Sequence, residues 1–160
     1  YRFEILDKMR GRFSVSRLET MFDDLLSGNG KAFSELLGGY LRDLVSVYDT
    51  ANKESFYHGF VLGMTALFVS DYIIESNRES GYGRFDLAII PKDVSKAGVI
   101  MEFKVASREA DMAAKAKEAL QQIEEREYVT EFRQRGIQRV WKYGIAFCGK
   151  KILAFQGPMC

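Results

Sequence analysis

The chain has 160 residues, the length of one domain, and its content of 47% hydrophobic and 13% aromatic residues excludes a disordered protein. No apolar run approaches the roughly 18 residues of a membrane span, and no signal peptide is recognisable. The formal net charge of +1 gives no sign of a strongly basic nucleic-acid-binding surface.

The two cysteines and the first residue indicate the setting of the chain. Cys148 and Cys160 provide no disulfide framework, so we expect a reducing, cytoplasmic compartment. The sequence begins with Tyr1 rather than Met, in a mixture of polar and apolar residues, so we expect a fragment of a longer protein.

Three helices are predicted in the first part of the chain. Apolar residues recur at helical spacing over residues 14–26 and 33–48, and residues 53–70 are apolar on nearly every side. We expect the last of these helices to be buried between layers. We assign residues 1–50 to a helical extension that links to a missing upstream domain, and residues 51–160 to a core that packs as one domain.

Strands dominate the remainder of the sequence. Residues 72–76, 83–90 and 98–105 are predicted strands, residues 107–128 form a long helix, and two strands follow at 139–148 and 151–155. A meander of three strands needs helices to cover its apolar face, and the long helix can cross over before the fourth strand. The predicted class is α/β, in the sense of an α+β fold with a mixed sheet.

Three chemically active residues fall on two neighbouring strands. Glu102 and Lys104 are two residues apart and therefore share one strand face, opposite Val99, Met101, Phe103 and Val105. In the preceding strand, Asp86 lies opposite Phe85, Leu87 and Ile89, on the face of Arg84 and Ala88. Two carboxylates that hold a hard cation beside an ammonium group are suited to phosphodiester hydrolysis.

The wider pattern resembles the PD-(D/E)xK nuclease superfamily. The similarity extends over FYHGFVLG (56–63), SNRESGYGRFD (76–86), EFK (102–104), ALQQIEEREY (119–128) and KYGIAFCGKKI (142–152). These motifs follow the order found in a branch whose nuclease-like domain comes after an AAA-type ATPase domain on one polypeptide. Phe85 replaces the proline that precedes the first acid in the superfamily pattern.

The resemblance implies a fold, a cofactor and a set of site residues. It implies a restriction-endonuclease-like αβββαβ core, with extra N-terminal helices and a C-terminal strand, joined to an upstream ATPase domain. It also implies that Mg²⁺ or Mn²⁺ binds to Asp86, Glu102 and the backbone carbonyl of Phe103. Lys104 would act on the attacking water or the phosphate, and Gln122 would lie near the site. The implied substrate is nucleic acid, and we expect DNA.

Three further residues have two interpretations each. Glu79, in the turn before Asp86, is either a solvated turn residue or a metal-site residue. Arg84 is either a surface arginine or a contact to a carboxylate or a scissile phosphate. His58 is either a hydrogen-bonded core histidine, which Glu54 one turn earlier could bond, or an additional metal ligand.

The long helix carries a polar flank that includes Gln122. At about 100° per residue, Lys115 and Arg126 share this flank, whereas Gln121 is exposed. We expect Lys115 and Arg126 to contact nucleic-acid phosphates, with an ordinary solvated helix flank as the alternative. Tyr128 is assigned to packing.

Three functions fit these observations. The first is a metal-dependent nuclease, and the second is a non-cleaving nucleic-acid or protein-binding module of an ATPase-fused protein. The third is purely structural, with Lys104 paired to Asp86 and Glu102 at a sheet surface. The intact set of Asp86, Glu102 and Lys104 favours the nuclease.

Overall fold

The computed structural model describes residues 15–45, 53–76, 79–80 and 83–160. Its first helices are α1 (Val15–Leu26), α2 (Gly30–Leu44) and α3 (Glu54–Thr65). Helix α2 begins three residues before the predicted start because the side chain of Asn29 accepts a hydrogen bond from Ala32 N. The predicted boundary at residues 50 and 51 lies outside the described residues.

Seven strands follow in the described residues, and five of them form one mixed sheet. Strands β1 (Tyr72–Ser76), β4 (Leu87–Pro91) and β5 (Gly98–Val105) are antiparallel neighbours, β6 (Val140–Cys148) runs parallel to β5, and β7 (Lys151–Gln156) closes a hairpin with β6. Strands β2 (Glu79–Ser80) and β3 (Gly83–Arg84) form a separate two-residue ribbon. The predicted α+β class, the antiparallel meander and the crossover to a parallel strand are therefore confirmed.

The crossover helix is shorter than predicted. Helix α4 covers Met112–Glu125, and a second short helix, α5 (Val129–Gln134), follows it and was not predicted. The break between them falls at Glu127, whose φ of 49° lies in the left-handed region and cannot continue a right-handed helix. Tyr128 and Phe132 are buried just after this break and hold α5 against the sheet.

The sheet lies between two helical layers. Val99, Met101 and Phe103 of β5 face the first layer, formed by α1, α2 and α3, whose buried residues belong to the same cluster. Ile100 faces the second layer, formed by α4 and α5. Helix α3 buries one side only and exposes residues such as Gly59 and Gly63, so the prediction that this helix is buried between layers is wrong.

The predicted strand at residues 83–90 is interrupted at Asp86. Strand β3 ends at Arg84, the chain bends at Asp86, and β4 begins at Leu87. The bend breaks the period of two. Contrary to the prediction, Phe85 and Leu87 therefore lie on opposite faces of the sheet. It packs in the opposite cluster, with its ring 5.7 Å from that of Tyr128.

Two further features of the described residues are the length and hydrophobicity of the helices and the state of the cysteines. Among the described residues, no helix combines the length and apolar character required to cross a lipid bilayer. Both Cys148 and Cys160 are free thiols.

Candidate active site

The site lies where the ladder between β4 and β5 stops. The last antiparallel pair joins Leu87 to Met101, and the chain bends at Asp86. The carboxylate of Asp86 accepts a hydrogen bond of 2.6 Å from the backbone N–H of Phe103. It therefore occupies the position at which a carbonyl of a longer β4 would have paired with β5.

Glu102 lies beside Asp86 and is almost completely buried, with 3% of its surface exposed. One carboxylate oxygen, Oε1, accepts a hydrogen bond from the side-chain amide of Gln122 on α4. The other oxygen, Oε2, is buried and has no hydrogen-bond partner among the described residues. A buried oxygen without a partner is energetically costly, and a bound cation would remove that cost.

A glycine on β6 allows α4 to approach Glu102. Gly144 pairs with Glu102 in the parallel ladder, and a Cβ at this position would lie 2.2 Å from the Ala116 carbonyl oxygen and 2.5 Å from Leu120 N. Contacts this short with backbone atoms exclude any side chain. The helix therefore packs directly on the strand, and this packing carries Gln122 onto the Glu102 carboxylate.

The electrostatic environment disfavours ionisation of Glu102. Burial, followed by the nearby charge of Asp86, raises the pKa of Glu102 to about 8, although Lys104, the backbone N–H of Asp86 and Arg126 all act in the opposite direction. Without a cation, Glu102 is therefore mostly protonated at pH 7. A divalent cation between the two acids would reverse this balance, because it favours the charged form of both.

Lys104 follows two residues later on the same strand face. Its side chain is partly buried, and it makes no hydrogen bond or ion pair with any described residue. Its positive charge lowers the pKa values of Glu102 and Glu54. The ammonium group is thus close to the acids but forms no ion pair with any of them.

Glu54 lies close enough to Asp86 and Lys104 for their charges to act on it, and the sequence did not predict this proximity. It lies in the first turn of α3, and its pKa is raised by burial and then by the charge of Asp86, while Lys104 and His58 lower it. Glu54 was considered only as a partner for His58. The available signal was an acidic residue one turn before a histidine on the helix that precedes the strands.

His58 holds the backbone at the bend. Its Nε2 atom lies 3.0 Å from the Asp86 carbonyl oxygen and 2.9 Å from Ser76 Oγ on β1. Because a carbonyl oxygen can only accept, the ring donates from Nε2 when that nitrogen carries the hydrogen. These contacts favour the hydrogen-bonded histidine over the metal ligand.

The two basic residues expected on the flank of α4 have different surroundings. Arg126 donates a hydrogen bond of 3.3 Å to the hydroxyl of Tyr128, and its charge acts on both Glu102 and Asp86. Lys115 forms an exposed ion pair of 2.7 Å with Glu118. Arg126 therefore lies near the acids, whereas Lys115 already has a partner. Tyr128 also hydrogen-bonds Gln122, in addition to its packing role.

Glu79 and Arg84 are placed only by their backbones. They pair with each other in the ribbon of β2 and β3, directly before the bend at Asp86. Their side chains lie outside the described part of the chain, so their two interpretations stay open.

The acids fit a cation that takes few protein ligands. Within the described residues, no three or more His, Cys, Asp or Glu side chains are arranged to hold a metal ion. Asp86 and Glu102 supply two carboxylates, and the Phe103 carbonyl faces the same side as its N–H, towards Asp86. Mg²⁺ often binds through one or two carboxylates and keeps several waters, so this donor set is sufficient.

The fold and the site together define a class of protein. A mixed sheet between helical layers, with an aspartate, a glutamate and a lysine where two neighbouring strands part, is the architecture of a nuclease-like α+β domain. A family model described as the PD-(D/E)XK nuclease superfamily matches residues 52–156, more than half of the chain, so the chain belongs to this superfamily. No curated protein matches the chain.

Proposed function

We propose that this chain is a metal-dependent nuclease domain that hydrolyses phosphodiester bonds in nucleic acid, with DNA as its substrate. The observation that carries this proposal is that Asp86 lies beside Glu102, whose buried Oε2 has no hydrogen-bond partner among the described residues, with the ammonium of Lys104 close to both acids. Membership of the nuclease superfamily supports it independently.

The cation would be Mg²⁺ or Mn²⁺, held by Asp86, by Oε2 of Glu102 and by the carbonyl of Phe103. When bound, such a cation polarises a phosphate oxygen and lowers the pKa of a bound water. Gln122 fixes Oε1 of Glu102 and so would leave Oε2 available to hold the cation. Asp86 is held in place at both ends, because Phe103 N–H bonds its carboxylate and His58 bonds its carbonyl oxygen.

Lys104 would act on the substrate itself. An ammonium group that no described residue occupies can donate to a phosphate oxygen and stabilise the negative charge that grows there during attack. Arg126, which is exposed and close to both acids, would hold a neighbouring phosphate. We extend the proposal to an ATPase domain on the same polypeptide and to a reducing, cytoplasmic compartment, on the resemblance and the two free thiols.

Cleavage assays with matched lysine variants test this proposal. The chain is incubated with Mg²⁺ or Mn²⁺ and linear, circular and single-stranded DNA and RNA, alongside Lys104→Met and Lys117→Met. Lys117 is an exposed lysine of α4 that lies over the Phe155 ring, so its replacement controls for the loss of one charge. We expect cleavage that needs metal, falls by about 10²- to 10³-fold in Lys104→Met and is unchanged in Lys117→Met.

Two results would contradict the nuclease assignment. Binding of nucleic acid and metal without cleavage would move the assignment to a recognition module. Absence of metal binding, measured by calorimetry with Mn²⁺, would instead leave Lys104 as a structural partner of the two acids.

A further inference from the structure

The outer edge of β7 is unpaired in the part of the chain that the structure describes. Strand β7 is the last in the sheet and pairs only with β6, and no backbone group of the described residues bonds to its other side. Its four central residues are apolar and partly exposed, and they are Ile152, Leu153, Ala154 and Phe155. Edge strands are normally protected by charges, prolines or bulges within the strand, and these four positions have none of them.

A groove lies beside this edge. It has a volume of about 540 Å³ and is bordered by α2, by the start of α4 and by the first half of β7. Glu35, Gly38 and Arg42 form its α2 wall, and Ile152 and Leu153 form its floor. The groove therefore leaves the unpaired backbone of β7 accessible to another polypeptide chain.

Helix α2 runs along β7 in the opposite direction. At one end, Gly30 N lies 3.3 Å from the side-chain oxygen of Gln156, and at the other end Lys150 Nζ donates to the Arg42 carbonyl oxygen at 3.1 Å. The midpoints of the helix and the strand therefore lie close together. A two-fold axis that pairs β7 with β7 of a second copy would also pass near the middle of α2.

Two of the exposed charges of α2, Glu35 and Arg42, match this symmetry. Glu35 and Arg42 are seven residues apart and so share one helix face. Both are exposed, and neither side chain makes an ion pair or hydrogen bond with a described residue. A two-fold axis between them places Glu35 opposite Arg42 of the second copy, and Arg42 opposite its Glu35. Gly38 and Gly39 lie between the two charges, and the guanidinium of Arg42 lies over both, 3.3 Å and 3.9 Å from where their Cβ atoms would be.

We propose that the β7 edge and the exposed face of α2 form a two-fold self-association surface. In the dimer, β7 pairs antiparallel with its copy and joins the two sheets into one. The two α2 helices lie beside the β7–β7 pairing, and Glu35 of each copy contacts Arg42 of the other. A second copy is the occupant that the surface fits, because an isologous interface must be self-complementary and these two charges are.

Charge reversal with rescue tests this surface. The concentration dependence of the mass of the 160-residue chain is measured by analytical ultracentrifugation for wild type, Glu35→Arg, Arg42→Glu and the double variant. Each single change creates two like-charged contacts, so we expect dimerisation to weaken about tenfold or more, whereas the double variant restores it. Glu19→Arg, on the exposed side of α1, is the matched control and should dimerise like wild type.

A second measurement follows the strand itself. Amide hydrogen exchange in β7 should slow as the protein concentration rises in wild type but not in Glu35→Arg. A wild-type chain that stays monomeric at high micromolar concentration would overturn the proposal, as would a dimer indifferent to both single reversals. Mn²⁺ binding per chain should be equal in all variants, because Glu35 and Arg42 are not site residues. The failure of this proposal is therefore distinguishable from failure of the nuclease assignment.

Discussion

The two halves of strand β5 both pair with β6, but they differ on the side of β4. Both halves pair with β6, but only the first half, from Val99 to Met101, also pairs with β4. That half is apolar and completely buried, whereas the second half carries Glu102 and Lys104. The difference shows how this fold makes a site: the ladder on one side stops, and a carboxylate from the departing strand bonds the strand that continues.

The two halves also differ in how completely their polar groups are satisfied. The first half has backbone partners on both sides and no polar side chain. The second half holds a buried carboxyl whose Oε2 has no hydrogen-bond partner in the described part of the chain and whose pKa is raised to about 8. Such a group lowers the stability of the metal-free fold. We therefore expect metal and pH to change the stability that the second half of β5 contributes, but not the contribution of the first half.

Replacement of Asp86 should produce the largest effect. Asp86→Ala removes a proposed metal ligand and leaves the buried N–H of Phe103 unbonded, so we expect metal binding to be lost and stability to fall by about 1–3 kcal/mol. Asp86→Asn keeps an oxygen that can accept from Phe103 N–H, so it should recover most of the stability but not the metal binding. Calorimetry with Mn²⁺ and urea unfolding measure the two effects separately. Tight Mn²⁺ binding that survives in Asp86→Ala would count against the site.

The pH dependence of stability isolates Glu102. Its folded pKa of about 8 lies above the ordinary value of 4.5, so the folded state binds the extra proton between these two pH values. Stability of the metal-free chain should therefore fall as pH rises from 4.5 to 8, by up to about 1.4 kcal/mol per pH unit. Glu102→Gln carries no titratable group and should lose this slope.

The measurement is urea unfolding of both proteins from pH 5 to pH 9 in a chelating buffer. The variant should be the more stable protein at pH 8, yet it should bind Mn²⁺ weakly. For wild type, Mn²⁺ affinity should increase with pH up to about 8, because the cation must displace the proton of Glu102. Identical slopes for the two proteins would show that Glu102 is ionised throughout this range.

The sequence predicts the strand that carries the site and the family, but it does not predict the bend at Asp86 or the proximity of Glu54. The period of two predicted that Glu102 and Lys104 share a strand face, and the motif order predicted the superfamily. The bend at Asp86 was not predicted, because the apolar alternation continues through it and nothing local marks the interruption. Glu54 was missed because the charges that identify it, Asp86 and Lys104, lie far away along the chain and approach it only after folding.

The second short helix shows the same limit. Helix α5 has six residues and buries only Phe132, which is too little for an apolar period to be visible. Gln122 was placed near the site by resemblance alone. Its contact with Glu102 depends on how closely α4 approaches β6, and Gly144 sets that distance.

Replacement of His58 should have an intermediate effect. If His58 positions the bend through the Asp86 carbonyl, His58→Ala should weaken Mn²⁺ binding by about 10- to 100-fold, the range found for partners of metal ligands. His58→Gln places an amide donor at a similar reach and should recover much of the affinity, and Ser76→Ala should have a smaller effect. If His58 were instead a metal ligand, the glutamine would not rescue binding, so the comparison of Ala with Gln decides between the two roles.

The smallest effects are expected on the flank of α4. Arg126→Glu should weaken nucleic-acid binding and reduce the dependence of affinity on salt by about one counterion, because the guanidinium is exposed beside both acids. Lys115→Glu should have less effect, because that ammonium already pairs with Glu118. Fluorescence anisotropy of labelled DNA at several salt concentrations measures both. Equal affinity in wild type and both reversals would show that this flank of α4 is an ordinary solvated helix surface.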